Sequence, residues 1–201
     1  MAAPSLDFWL EFASTYSYLA AIRIGPLAAA ADVKVRFRPF LLGPIFAAQG
    51  WTTSPFNLFA AKGRNMWRDL ERTCADLGLP FRRPEPFPQS SVLAARIALV
   101  GLGAPWGEDF CRATYRAEFA EGRRIDDPET IRGILSGLNA DPGAVMAEAQ
   151  SAAIKDKLRA ETAEAQNLGI FGAPSFITPD RELFWGNDRL ETALGWAKRT
   201  P

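Results

Sequence analysis

The chain has 201 residues, 48% hydrophobic and 23% charged, an ordinary globular composition that suits one domain or one domain carrying a large insertion. Its 23 basic and 23 acidic residues cancel, so nothing in the charge balance points to nucleic acid or an anionic membrane, and no apolar run approaches the roughly 20 residues of a bilayer span. Histidine is absent and the two cysteines, Cys74 and Cys111, lie far apart, which removes Ser–His and Cys–His nucleophile pairs, histidine-ligated zinc and any C-x-x-C redox pair.

The segment from Met1 to Asp7 lacks the basic stretch and apolar run of a secretory signal, so the expected location is the cytoplasm. Leu6, Phe8, Leu10 and Phe12 alternate with Asp7, Trp9 and Glu11, which predicts a half-buried strand. A helix follows along Tyr18, Leu19 and Ile22 to the alanines 28–31, with Gly25-Pro26 expected to interrupt it. Val33, Val35 and Phe37 alternate with Lys34, Arg36 and Arg38 and predict a second strand, closed by Pro39. Strand, helix and strand of these lengths make a βαβ unit with parallel strands.

No β pattern occurs between Pro44 and Gly169. Leu42-Gly43-Pro44 and Trp51 to Pro55 read as loops. Met66, Leu70, Cys74 and Leu77 recur at helical spacing up to Gly78, a plausible stop, and the proline-rich stretch from Arg82 to Pro88 reads as loop. Asp127-Pro128 opens a helix along Ile131, Ile134, Leu135 and Leu138, and Asp141-Pro142 opens one long helix ending near Gly169. The tail returns to strands: Ser175 to Thr178, a Pro179-Asp180-Arg181 turn, and Glu182 to Trp185 predict an antiparallel hairpin. Asp188 and Glu191 have capping-box spacing before a last helix along Leu190, Leu194 and Ala197. The expected architecture is α/β: a βαβ–ββα core from 1–43 and 170–201 around an all-helical insertion, 44–169.

That order is the thioredoxin arrangement, and it marks two places for chemistry. At the first strand–helix turn, Ser14 and Ser17 keep the spacing of a C-x-x-C pair but not its sulfur, so disulfide exchange is excluded. A helix N-terminus offers unpaired N–H groups and favours an anion. Taken alone, Ser14 reads more readily as a plain helix cap than as a catalytic group, because serine is so common at that position. The second place is Ala173-Pro174, where a cis peptide would expose the preceding backbone to an extended peptide, although a trans proline that merely starts a strand is the commoner use.

Three ordered motifs, Phe12-Ala13-Ser14 with Tyr16-Ser17-Tyr18, the run from Gly169 to Phe176, and Phe184-Trp185-Gly186-Asn187-Asp188-Arg189-Leu190, resemble the 2-hydroxychromene-2-carboxylate isomerases and the related kappa-class glutathione transferases. The middle fits as well, through Lys62, the Asp69–Arg72 pair, and Pro84 to Pro88 followed by Gln89-Ser90. The resemblance covers essentially the whole chain and implies a DsbA-like thioredoxin fold, glutathione as cofactor, a small aromatic substrate and a homodimer. It makes Ser14 the hydroxyl that bonds the glutathione sulfur, and Asp188 and Arg189, next to Asn187, the hold on its γ-glutamyl end. The backbone of Ala173, before cis-Pro174, pairs with the cysteinyl part, and Lys62 meets the glycine carboxylate or an acidic substrate. The chain departs from the family at Thr15, usually proline, and at Thr52-Thr53-Ser54, where an asparagine often touches glutathione. The implied reaction interconverts 2-hydroxychromene-2-carboxylate and trans-o-hydroxybenzylidenepyruvate. Kappa-like transfer and non-catalytic glutathione binding are the alternatives. From the residues alone, Lys62, Asp188 and Arg189 also read as solvated surface, Trp51 and Trp67 as candidates for an aromatic pocket, and Cys74 as buried filler.

Overall fold

In the computed structural model, which describes residues 4–199, β1 (Ser5–Leu10) and β2 (Lys34–Pro39) pair in parallel, Leu6 opposite Val35 and Phe8 opposite Phe37. Strands running the same way need a crossover, and α1 (Thr15–Ala31) provides it. β3 (Ser175–Ile177) lies antiparallel on the other side of β1, and β4 (Leu183–Trp185) pairs antiparallel with β3, giving the order β2-β1-β3-β4. Phe8 stands at the centre, its ring 5.1 Å from that of Phe37 and 5.5 Å from that of Phe176. Such cross-strand aromatic pairs are a unit of sheet stabilisation.

β1 is not half-buried. Phe8 packs in a cluster with Tyr18, Leu19 and Leu190, while Trp9 on the opposite face is enclosed with Phe40, Leu42, Ile45 and Ala165. The alternation of its side chains therefore marks the two covered faces of a central strand, and even Asp7 and Glu11 are buried. Nor is α1 interrupted: it runs through Pro26, because Ile24 and Ala28 on either side are anchored in the core and outweigh one missing amide.

Between β2 and β3 every regular element among the described residues is a helix. Leu42-Gly43-Pro44 opens α2 (Leu42–Ala48) instead of extending a loop, since Leu42 and Ile45 find buried places. α3 (Pro55–Leu58) and α4 (Ala60–Asp76) follow, the latter burying Met66, Leu70 and Cys74 as its spacing predicts, and Gly78 follows its end at φ 64°. Two further helices, α5 (Val92–Gly101) and α6 (Gly107–Phe119), precede α7 (Pro128–Gly137), which starts at the Asp127 cap. The single long helix expected after Pro142 is two, α8 (Pro142–Ala149) and α9 (Ala152–Asn167), because the Ser151 hydroxyl caps a new start by accepting from the Ile154 N–H at 3.3 Å. The cluster around Phe8 also contains Phe110, Ile131 and Leu158, so the helical segment shares the core of the sheet.

The last helix, α10 (Leu190–Ala197), does not start with a capping box. A 3-10 turn, Asn187–Arg189, leads into it, and Glu191 forms an ion pair with Arg23 of α1 instead. Arg23 also donates to the Asn187 side-chain oxygen at 2.8 Å, tying this turn to the first helix.

Candidate functional site

The site is built where β1 ends and α1 begins. Ser14 is the N-cap of α1, in extended conformation, and its Oγ accepts from the Ser17 N–H at 3.3 Å. The same hydroxyl donates to the carbonyl of Ala173 at 2.9 Å. Ala173-Pro174 is a cis peptide, and the Pro174 carbonyl accepts from the Gly186 N–H at 3.0 Å, which fixes this loop to the end of β4. Capping and site-building are thus both performed by Ser14. Its oxygen serves the helix, and its one proton reaches 159 residues along the chain to the loop across the site.

Ser14 and Ala173 open into a cavity of about 1170 Å³. Tyr16, Phe46, Trp51, Phe56, Phe87 and Trp185 line it, as do Thr15 and all four residues of the loop from Trp51 to Ser54. A lining of this kind holds flat apolar molecules and leaves orientation to a few polar groups. Phe171 and Trp185 pack at a tilt, 4.9 Å between centroids, and both are about half exposed, which places them at the mouth. Among the described residues the lining includes one amine side chain, Lys62, and one acidic residue, Glu11.

Lys62 is exposed in the first turn of α4, its Nζ 4.9 Å from the Phe59 ring centroid. The departures from the family pattern have local explanations. The Thr15 hydroxyl donates to the Met66 sulfur at 3.3 Å, Ser54 caps α3, and the Thr53 hydroxyl accepts from the Asn57 amide at 3.3 Å. Of the two tryptophans singled out, Trp51 lines the cavity, whereas Trp67 packs edge-on against Phe87, 4.7 Å away, behind the wall.

Asn187, Asp188 and Arg189 are not part of this lining. Asn187 is buried and its side-chain oxygen is engaged by Arg23, so its visible role is structural. Asp188 and Arg189 are exposed and 3.2 Å apart. The charge of Asp188 nonetheless helps to raise the pKa of Tyr16. Burial and the Asp69 carboxylate do so more strongly: Tyr16 donates to Asp69 at 2.9 Å, and Arg72 stands 3.6 Å beyond. Tyr16 therefore stays a neutral phenol between the cavity and a charged rim formed by Asp69, Arg72 and Asp188.

Burial pushes the Cys74 thiol up to about 11 and that of Cys111 higher still, so the chain supplies no thiolate of its own near neutral pH. The residue that sequence reasoning missed is Glu11. Read as one face of a half-exposed strand, it instead sits in the cavity wall, accepting from the Ala13 N–H at 3.2 Å. Burial raises its pKa, although the Ser91 hydroxyl and backbone amides around it act the other way. Behind it, Glu118 on α6 is fully buried with neither carboxyl oxygen hydrogen-bonded, and burial holds its pKa well above the usual range. A signal existed: Glu118 follows Cys111, Thr114 and Tyr115 on the inward stripe of α6, at a position that packing would fill with an apolar residue.

Residues 5–195 match the family model described as the DSBA-like thioredoxin domain. The chain is 30% identical over 187 residues to the 2-hydroxychromene-2-carboxylate isomerase of Sphingobium xenophagum, covering 93% of this chain and 94% of that one. A solved structure of a 2-hydroxychromene-2-carboxylate isomerase superposes with a TM-score of 0.85 at 26% identity, over 97% of this chain and 96% of the other. Glutathione S-transferase kappa 2 of Caenorhabditis elegans is 25% identical over 198 residues, 92% of this chain and 88% of the relative.

Proposed function

The chain belongs to the DSBA-like thioredoxin family and, within it, to the enzymes named 2-hydroxychromene-2-carboxylate isomerase, and from that membership we propose that it is a glutathione-dependent isomerase. The observation that carries the reading is the Ser14 hydroxyl at the start of α1, aimed across an aromatic cavity at the carbonyl before a cis-proline. An extended peptide pairing with Ala173 puts a cysteinyl N–H on that carbonyl and its sulfur beside Ser14. The hydroxyl proton then turns from the carbonyl to the sulfur. A free thiol titrates near 8.5, and a depression of about 1–2 units, at about 1.4 kcal/mol each, makes thiolate the dominant form at neutral pH. The unpaired N–H groups of the first turn of α1 act in the same direction.

The substrate is a small conjugated aromatic acid, in the proposed reaction the pair 2-hydroxychromene-2-carboxylate and trans-o-hydroxybenzylidenepyruvate. Thiolate adds to the conjugated chain, the bond freed from conjugation rotates, and elimination returns glutathione unchanged. The aromatic lining takes the ring, and Lys62 takes a carboxylate. In the same reading Asp188 and Arg189 hold the γ-glutamyl end at the rim, and the protein works as a cytoplasmic homodimer. No helix among the described residues is long and apolar enough to cross a membrane.

The test is to follow interconversion of the two compounds by absorbance with glutathione at substoichiometric concentration. Turnover that depends on glutathione without consuming it, and that collapses in Ser14→Ala, supports isomerisation. The kappa-class relative favours a second reading, transfer, in which glutathione is consumed one for one. Glutathione binding with no turnover of either kind means a non-catalytic binding protein.

A further inference from the structure

A thiol that binds as thiolate must leave its proton somewhere, and the chain has no histidine to take it. Of the described residues that line the cavity, Glu11 is the one that carries a carboxyl group. It lies under the turn that presents Ser14: its Oε1 accepts from Ala13, and its backbone carbonyl accepts from the Ser14 N–H at 3.0 Å and from the Tyr115 hydroxyl at 2.9 Å. Further from the cavity, α6 contributes Glu118, whose two oxygens are buried without a hydrogen-bond partner, as is the hydroxyl of Thr114 one turn before it. A buried carboxyl with no donor costs about 1–3 kcal/mol when left unsatisfied, which favours its neutral form.

Resting on the isomerase reading above, we propose that Glu11 accepts the proton of the bound thiol and returns it when glutathione leaves, with Glu118 as the neutral carboxyl behind it. The S–H bond breaks, its electron pair stays on sulfur, and the proton forms the Glu11 carboxylic acid. Elimination of the thiolate and release reverse the transfer, so no other reactant is needed. The two carboxyls have unlike surroundings, which is what separates such roles. Glu11 is flanked by Ser91 and by the amides of Phe12, Ala13 and Leu42, which keep an ionised form accessible. Glu118 has no donor, and Glu11 and Asp126 add like charge, so it stays protonated. Tyr115, the titratable neighbour of this pair on α6, is held neutral by burial, as is Cys111 one turn earlier. Glu11 is thus assigned a catalytic role, and Glu118 a positioning one that acts through it.

The test is infrared difference spectroscopy on the full chain with 13C-labelled glutamate carboxyl groups, combined with the ultraviolet absorbance of thiolate. The free protein should show a protonated glutamate band that Glu118→Gln removes. Adding glutathione to wild type should bring thiolate absorbance together with growth of a second protonated glutamate band. Glu11→Gln should lose that second band and release about one proton per glutathione to the buffer where wild type releases almost none. The wild-type measurement stands even if that variant fails to fold. Thiolate formation with no band growth overturns the role of Glu11 and leaves the glutathione reading intact. Failure of glutathione to bind overturns both.

Discussion

Replacing Glu118 with glutamine should remove a loss of stability that wild type suffers as the pH rises. The folded carboxyl titrates well above the 4.5 of a free side chain, because it is buried, lacks a donor and faces other acids. Over the interval between those two pKa values the unfolded chain has released this proton and the folded chain still holds it. The unfolded state therefore binds one proton fewer, and stability falls by about 1.4 kcal/mol per pH unit. Glu11, also raised by burial, adds a slope of the same sign. Asp126 and Asp180, both lowered, act oppositely, and their contribution is lost only on the acid side. Glutamine keeps the shape and cannot ionise, but its amide also lacks partners, so it costs about 1–3 kcal/mol at all pH values. Urea midpoints measured in steps from pH 5 upward should show the variant below wild type at the acid end, with a shallower decline and a narrowing gap. Parallel curves for the two proteins would refute a neutral buried carboxyl at this position.

Lys62→Met should raise KM for an acidic aromatic substrate by about tenfold, the equivalent of about 1.4 kcal/mol, with little change in kcat, since in the proposed reaction Lys62 at the wall holds a carboxylate and takes no part in the thiolate steps. A Cβ at Gly172 would come within 2.4 Å of the Trp185 indole nitrogen. Gly172→Ala should therefore move the half-exposed Trp185 from the cavity mouth and change KM, while stability measured by urea unfolding drops by no more than about 1–3 kcal/mol. Phe8→Ala should cost about 3–5 kcal/mol in the same assay, because it removes the ring shared by Phe37 and Phe176 at the centre of the sheet.

The βαβ opening, the helical middle and the closing hairpin were legible because alternation at period two and recurrence at helical spacing survive in the letters of these segments. Ser14 and cis-Pro174 were legible through motif order, and the structure brings them together across 159 residues. Other features depend on neighbours that single segments do not reveal. The alternation in β1 looks like an exposed face until α2 and α9 are known to cover Trp9. α5 carries so many apolar residues in succession that it shows no stripe. Asp188 and Glu191 have the spacing of a capping box, but Arg23 on a distant helix competes for Glu191 and wins. Glu11 reads as part of the exposed face of a half-buried strand because charge ordinarily lies outside, and only the surrounding packing, with Tyr115 of α6 bonded to its carbonyl, puts it inward.

The central claim is that this protein lowers the pKa of a thiol it does not own. The most direct measurement is a pH titration of the thiolate absorbance of glutathione bound to wild type and to Ser14→Ala. The account predicts a wild-type midpoint about 1–2 units below the free value of about 8.5, moving back toward that value in the variant. The variant also loses the cap of α1, at about 1 kcal/mol of stability, which leaves it folded. A bound thiol that titrates like free glutathione in wild type, or a midpoint that Ser14→Ala leaves in place, would contradict it.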